Sequence, residues 1–135
     1  MSTITVVDNE FITLWYHPED KIVHHRFHKK TIYGEHLRNA FSKGVDLLKE
    51  NNAKKWLSDD RENIIFTEED TEWFLKDWFP RAVESGWQFW ALVQPQQIIG
   101  KINLEQFTND YSKKGIMIKL FDNLDSAKEW LTCIE

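Results

Sequence analysis

Residues 67–93, TEEDTEWFLKDWFPRAVESGWQFWALV, decide the fold of this chain. The threonine that opens this stretch can cap a helix, and the three acidic residues after it suit the positive end of the helix dipole. The pattern predicts a helix that runs to about Trp78, with a kink or a restart at Pro80, because proline has no backbone N–H to donate. Gly86 then ends the helical part, and Gln88–Val93 is predicted to be a buried strand.

The chain before this stretch begins with strands and continues with a helix. Phe11–Tyr16 and Lys21–His28 are rich in aromatic and β-branched residues and flank a turn that contains a proline, so they predict a β-hairpin. Thr3–Val7 is a candidate for a short edge strand beside this hairpin. Gly34–Asn51 has apolar residues at helical spacing, and Lys54–Asp59 reads as a short strand.

After the deciding stretch the same alternation continues. Gln97–Lys113 is predicted to be a helix, Ile116–Phe121 a strand, and a final helix begins after Asp122 or Asn123. Strands separated by helices favour right-handed crossovers and parallel pairing. We therefore predict one α/β domain over residues 1–135. It contains a mixed, mostly parallel sheet of about five strands, an antiparallel hairpin at the N-terminus and four helices.

Composition and charge argue against several classes of function. The formal net charge is −5 and the isoelectric point about 5.5, which disfavours binding to nucleic acid or to an anionic membrane surface. No apolar run approaches the roughly 20 residues of a membrane-spanning helix. Cys133 is the single cysteine, so no disulfide can form within the chain. Together with the lack of a recognisable secretory signal, this predicts a cytoplasmic location.

Three segments carry a resemblance to a known family: Lys54–Arg61 (KKWLSDDR), Asp77–Arg81 (DWFPR) and Leu120–Leu131 (LFDNLDSAKEWL). They resemble the SpoIIAA-like, STAS-related family of small bacterial α/β proteins. The resemblance implies a sheet flanked by helices, frequent homodimers, and functions that span anti-sigma regulation and, in related CRAL-TRIO-like folds, binding of apolar ligands. In anti-sigma antagonists the serine after the corresponding strand is phosphorylated, and Ser58 is the candidate here. This chain departs from that pattern, since no glycine follows and Arg61–Phe66 intervenes before the helix.

Aromatic residues are concentrated in the deciding stretch, which holds four of the seven tryptophans. The aromatic group consists of Trp73, Phe74, Trp78, Phe79, Trp87 and Trp90. The simplest interpretation is a core in which the predicted helix packs on the predicted strand. However, the bulky side chains of the helix occupy more than one stripe, so the helix has two surfaces to cover. The second surface would suit a partner subunit or an apolar ligand.

Polar residues follow the strand Lys54–Asp59 and form a second candidate site. This strand-end cluster consists of Ser58, Asp59, Asp60 and Arg61, with Arg81 as a further member if its guanidinium reaches the same cleft. Open α/β sheets bind ligands at the carboxyl ends of their strands, and clustered carboxylates can act as acid and base. The simpler interpretation is a polar loop in which Arg61 neutralises a neighbouring acid. No glycine-rich phosphate loop accompanies the cluster.

Histidines on the second strand of the hairpin do not predict a metal site. His24 and His28 share a face but lie about 13 Å apart at about 3.3 Å per residue, whereas a metal ion binds each nitrogen at about 2.0–2.1 Å. His25 falls on the other face with Val23 and Phe27. We expect exposed or half-buried strand histidines, no metal and no cofactor.

Three hypotheses for function remain. The leading one is a non-enzymatic regulatory or protein-interaction module that forms a homodimer or binds a protein partner. The first alternative is a binder of a small apolar ligand between the aromatic helix and the sheet, which requires a cavity of roughly several hundred Å³. The second is an enzyme that uses Asp59, Asp60 and Arg61, with a histidine such as His36 brought close by the fold.

Overall fold

The computed structural model of the chain describes residues 3–62, 66–95 and 115–134, together with Asn109 and Ser112. Its strands form one six-stranded sheet in chain order: β1 (Ile4–Asp8), β2 (Ile12–His17), β3 (Ile22–Phe27), β4 (Lys55–Asp59), β5 (Phe89–Val93) and β6 (Met117–Phe121). The first three strands pair antiparallel, and the pairs β3–β4, β4–β5 and β5–β6 are parallel. The predicted α/β class, with a mixed, mostly parallel sheet and an opening hairpin, is confirmed. The sheet has six strands, where about five were predicted, because the candidate edge strand at Thr3–Val7 forms as β1.

The helical residues of the described ranges fall into three segments: α1 (Gly34–Asn51), α2 (Glu68–Trp73) continued by a π-helical turn (Phe74–Trp78) and α3 (Phe79–Glu84), and α4 (Leu124–Thr132). The prediction was four helices. The predicted helix Gln97–Lys113 lies outside the described residues, except for Asn109 and Ser112, two isolated positions that are both helical.

The predicted interruption near Pro80 takes the form of the π-helical turn. The backbone N–H of Phe79 donates to the carbonyl of Phe74, one residue further back than in an α-helix. Pro80 then lies in the first turn of α3, where a missing N–H costs little. Thr67 caps α2 as predicted, since its side chain accepts a 3.1 Å hydrogen bond from the N–H of Asp70.

Helices cover both faces of the sheet. One face carries α1, the π-helical turn and α3. Here α1 contributes buried residues such as Leu37 and Phe41 to the larger apolar cluster. The other face carries α4, whose Ala127 and Leu131 pack against buried residues of β3, β4 and β5. We call these the aromatic face and the α4 face. In the described part of the chain, no helix has the length and apolar character needed to cross a bilayer.

On the aromatic face, α1 approaches the sheet most closely at Gly44. A Cβ atom placed on Gly44 would lie 2.1 Å from Cη2 and 2.7 Å from Cζ3 of Trp56. Trp56 stands on β4 and is 1% exposed. The glycine in the middle of α1 therefore leaves space for the indole of Trp56, although glycine costs about 1 kcal/mol relative to alanine inside a helix.

Candidate binding site

The candidate site is built where β3 and β4 run in parallel on the aromatic face. The register places His25 directly beside Ser58. Because side chains alternate along a strand, Trp56, Ser58 and Asp60 all point to the same face as His25. Asp60 directly follows β4, and its backbone N–H donates to the carbonyl of Val93 at 3.1 Å, which keeps it in line with the strand.

Both ring nitrogens of His25 are engaged by these neighbours. The indole Nε1–H of Trp56 donates to Nδ1 of His25 at 2.9 Å, and Nε2 of His25 lies 2.7 Å from Oδ1 of Asp60. An indole nitrogen is a donor only, so Nδ1 must be the unprotonated nitrogen. Nε2 therefore carries the single proton and donates to Asp60, which makes His25 a neutral imidazole in this arrangement.

Asp60 is a buried carboxyl group without a cationic partner in the described part of the chain. The residue is 3% exposed, and its side-chain contact with His25 is to a neutral ring. Burial raises the pKa of Asp60, and the nearby charge of Asp59 adds to the effect, although the contact with His25 acts in the opposite direction. Oδ1 accepts the hydrogen bond from His25, whereas Oδ2 has no hydrogen bond to a described residue. The site thus holds an acid whose ionised form is poorly compensated.

A small recess opens beside this acid. Its volume is about 20 Å³, and it is partly open to solvent. Polar groups of His25, Ser58 and Asp60 form one part of its wall, and Oγ of Ser58 accepts a 2.7 Å hydrogen bond from the indole N–H of Trp90. Aromatic rings form the rest: Phe27, Phe41, Trp56, Phe66, Phe74, Trp78, Trp87 and Trp90. The recess has room for about one water-sized group.

Most of the predicted aromatic group forms this wall and the core behind it. Phe74, Trp78, Phe79, Trp87 and Trp90 are all buried. The rings that face away from the sheet meet α1, where Phe41 lies 4.9 Å from Phe74 and 5.5 Å from Trp78 between ring centroids. The two surfaces that the sequence indicated are therefore covered by the sheet and by α1.

Trp73 is the half-exposed member of the aromatic group. The guanidinium groups of Arg38 and Arg81 lie 5.5 Å and 5.9 Å from its ring centroid. This arrangement fits cation–π contacts at the protein surface. Trp73 does not line the recess.

The polar strand-end cluster is divided between the two faces of the sheet. Ser58 and Asp60 lie in the recess, whereas Asp59 belongs to the α4 face and binds the guanidinium of Arg61 at 2.8 Å and 2.7 Å. Burial tends to raise the pKa of Asp59, but the hydrogen bonds and charge of Arg61 outweigh it, so the pKa is lowered overall. Arg61 thus neutralises its neighbour. Arg81 does not reach the cluster, because its Nη2 donates to Asp77 at 3.1 Å on the helix surface.

Ser58 is poorly placed for the phosphorylation that the family resemblance implied. The residue is 1% exposed and its hydroxyl is held by Trp90. A kinase would have to open the core to reach it. Its position therefore favours a role in shaping the recess.

The strand histidines each have a separate neighbour. Nδ1 of His24 lies 3.0 Å from Nε2 of His17, and Nε2 of His28 lies 2.8 Å from the hydroxyl of Thr13. Burial, with the charge of His17 as the next cause, lowers the pKa of His24 to about 3. The expectation of exposed or half-buried histidines is wrong for His24 and His25, which are both buried. Trp15 and His17 on β2 contact the ring of His24, and Phe41 of α1 contacts the ring of His25. Among the described residues, no three histidine, cysteine or acidic side chains are grouped to hold a metal ion.

Sequence reasoning named the wrong histidine for Asp60. The ring of His36 contacts Phe11, at 4.6 Å between centroids, and His25 takes the place expected for it. The sequence contained an indication of this contact, since alternation along the strand put His25 on the same face as the apolar residues Val23 and Phe27. A buried imidazole requires hydrogen-bonding partners, and the next parallel strand supplies them.

Replacing Asp60 with asparagine is expected to stabilise the protein at neutral pH. The pKa of Asp60 is raised above its ordinary value of 3.8 in the folded state. As the pH rises, Asp60 therefore ionises in the unfolded chain before it does so in the folded protein. The free energy of unfolding falls over this range, until the pH passes the folded-state pKa. Asparagine cannot ionise and still accepts a hydrogen bond from His25. Urea denaturation between about pH 4 and pH 8 should show a gain of about 1–3 kcal/mol for Asp60→Asn that grows with pH.

The matched control is Asp46→Asn, which removes one negative charge from an exposed position of α1. It should change stability by less than about 0.5 kcal/mol. A loss of stability in Asp60→Asn throughout this pH range would show that the ionised carboxylate is well compensated, contrary to the geometry.

The geometry of the site is better suited to binding a ligand than to proton transfer. His25 has no nitrogen free to act as a base, and Ser58 is hydrogen-bonded to Trp90 and not to His25. The recess combines one acid, one hydroxyl and a wall of aromatic rings.

Comparisons of the chain with protein-family models, with curated proteins and with solved structures found no match.

Proposed function

We propose that this chain is a non-enzymatic regulatory module that binds a small ligand in the recess beside Asp60. The observation that carries the proposal is the fixed, neutral state of His25, whose two nitrogens are held by Trp56 and Asp60. A general base needs a nitrogen within reach of the proton that it removes, and here both nitrogens are occupied. The same contacts hold the polar wall of the recess in one geometry, which favours selective binding.

The size of the recess argues against the apolar-ligand alternative at this place. That hypothesis required roughly several hundred Å³, whereas the recess measures about 20 Å³. A group that enters it must be small and must satisfy a buried carboxyl group. This favours a polar or charged head group over an apolar body.

We further propose that the module acts as a homodimer in the cytoplasm and that it transmits ligand binding to a partner protein. The edge strand β6 supports the dimer, because its Met117 and Leu120 are 58% and 38% exposed in the described structure. Among the described strands β6 pairs only with β5. An edge strand with exposed apolar residues is a suitable surface for a second copy.

Two-dimensional ¹H–¹⁵N NMR tests the binding proposal directly. Indole N–H signals of Trp56 and Trp90 report on the recess, since these groups donate to His25 and Ser58 in its wall. We expect fragments from a panel of small cations, anions and neutral molecules to shift these two signals before others. A panel that moves neither signal, or a fragment that is chemically converted by the protein, would contradict the proposal. Light scattering on the same samples should give about twice the chain mass of 16.2 kDa, and a monomer at high concentration would refute the dimer.

A further inference from the structure

We infer that the ligand of the recess carries a small primary ammonium group, which binds to Oδ2 of Asp60 against the aromatic wall. The inference rests on the proposed binding function and adds the chemical class of the ligand. It is based on the charge and the shape of the site.

The charge of the site favours a cationic ligand. Trp56 keeps His25 neutral, so the ionised site has a net charge of −1 from Asp60. The nearest acid along the chain, Asp59, has its own cation in Arg61 and lies on the other face. In the described structure no cationic side chain pairs with Asp60. A buried carboxylate is costly unless a cation or a proton compensates it, and a bound cation can do so.

The wall of the recess is largely aromatic. Trp56, Trp78, Trp87 and Trp90 line it together with Asp60. Aromatic rings attract cations through the negative potential of their faces, and tryptophan does so most strongly. An inorganic cation would prefer a shell of oxygen ligands, whereas this wall offers few oxygens. An alkylammonium ion fits both the polar and the aromatic part of the wall. Its N–H groups can donate to Asp60 and to Ser58, while its carbon contacts the rings.

The volume of the recess limits the size of the group that can enter it. A recess of about 20 Å³ admits one water-sized group, which is close to the size of an ammonium head. The carbon attached to that head can lie towards the open side of the recess. A quaternary ammonium group, with four methyl groups around the nitrogen, is too large and has no N–H to donate.

Titration with methylammonium chloride tests the inference, at an ionic strength held constant with sodium chloride. We expect the indole signals of Trp56 and Trp90 to shift with a dissociation constant in the millimolar range, because binding free energy per ligand atom has a ceiling. Methanol, the neutral molecule of the same shape, and tetramethylammonium chloride should leave both signals in place. Potassium chloride at the same concentrations should also have no effect.

The variant Asp60→Asn should weaken methylammonium binding at least about tenfold, whereas Asp46→Asn should bind as the unchanged protein does. Equal shifts with methanol, equal shifts with potassium, or undiminished binding by Asp60→Asn would each overturn the inference. The series of probes on the unchanged protein remains decisive if that variant fails to fold. If ammonium ions fail while other fragments move the two indole signals, the inference is wrong and the proposed binding function stands. If no probe moves them, both are wrong.

Discussion

Gly44→Ala is expected to destabilise the protein by about 3 kcal/mol, although alanine is the better helix former by about 1 kcal/mol. The new Cβ atom would lie 2.1 Å from Cη2 of Trp56, far inside van der Waals contact. The indole cannot move aside freely, because it is 1% exposed and its Nε1–H is bound to His25. Either α1 moves away from the sheet or the bond between Trp56 and His25 breaks. Chemical denaturation measures the loss, and the indole N–H signal of Trp56 should shift strongly.

A double-mutant cycle identifies the clash as the cause. Trp56→Phe removes the outer ring atoms that the alanine would meet, at its own cost in packing and in the hydrogen bond to His25. The combination of Gly44→Ala with Trp56→Phe should therefore be more stable than the sum of the single effects by about 1 kcal/mol or more. Additive effects would show that Gly44 is needed for a reason other than the space it leaves to Trp56.

Trp78→Ala is expected to cost about 3–5 kcal/mol, a large part of the 5–15 kcal/mol that typically stabilises a domain. Trp78 is 2% exposed and its indole N–H donates to the backbone carbonyl of Phe41 at 2.8 Å. Its ring meets Trp56 edge-on at 5.3 Å and lies 5.2 Å from the ring of Trp87. Removing the ring opens a cavity between the helical layer and the sheet that neighbouring rings cannot fill. Thermal or urea unfolding should show a marginally stable protein.

The matched control is Trp73→Ala in the same helical segment. Trp73 is half-exposed, and its main contacts are to Phe74 and to the guanidinium groups of Arg38 and Arg81. Its loss should cost about 1 kcal/mol. Equal costs for the two tryptophans would contradict the assignment of Trp78 to the core and of Trp73 to the surface.

The order of helices and strands was predictable because it depends on local periodicity. The bounds of α1 agree with the prediction at both ends, where Asn52 follows in the left-handed conformation that commonly ends a helix. β5 and α4 likewise follow from short apolar runs with turn or capping residues beside them. β1 agrees with the candidate edge strand Thr3–Val7, which was open in the sequence because a five-residue segment becomes a strand only when a neighbouring strand pairs with it.

The candidate site was predictable only in part. The sequence pointed to the carboxyl end of β4 and named Ser58 and Asp60, but it grouped them with Asp59 and Arg61. Alternation along an extended chain puts Ser58 and Asp60 on one face of the sheet and Asp59 on the other, with Arg61 bound to it. For Arg81 the sequence left open either the cleft or an ordinary surface pairing, and the structure shows the surface pairing, with Asp77 one helical turn away.

The sequence by itself determined the α/β class, the hairpin and the cap of α2, because each follows from neighbours a few residues apart. Only the tertiary structure decided that His25 meets Trp56 and Asp60, which lie 31 and 35 residues away along the chain. Such contacts depend on the register of β3 against β4, and a shift of one residue would turn every side chain to the other face. That register also sets the charge of the recess, because the indole N–H of Trp56 keeps His25 neutral, and no described side chain then offers Asp60 a positive charge.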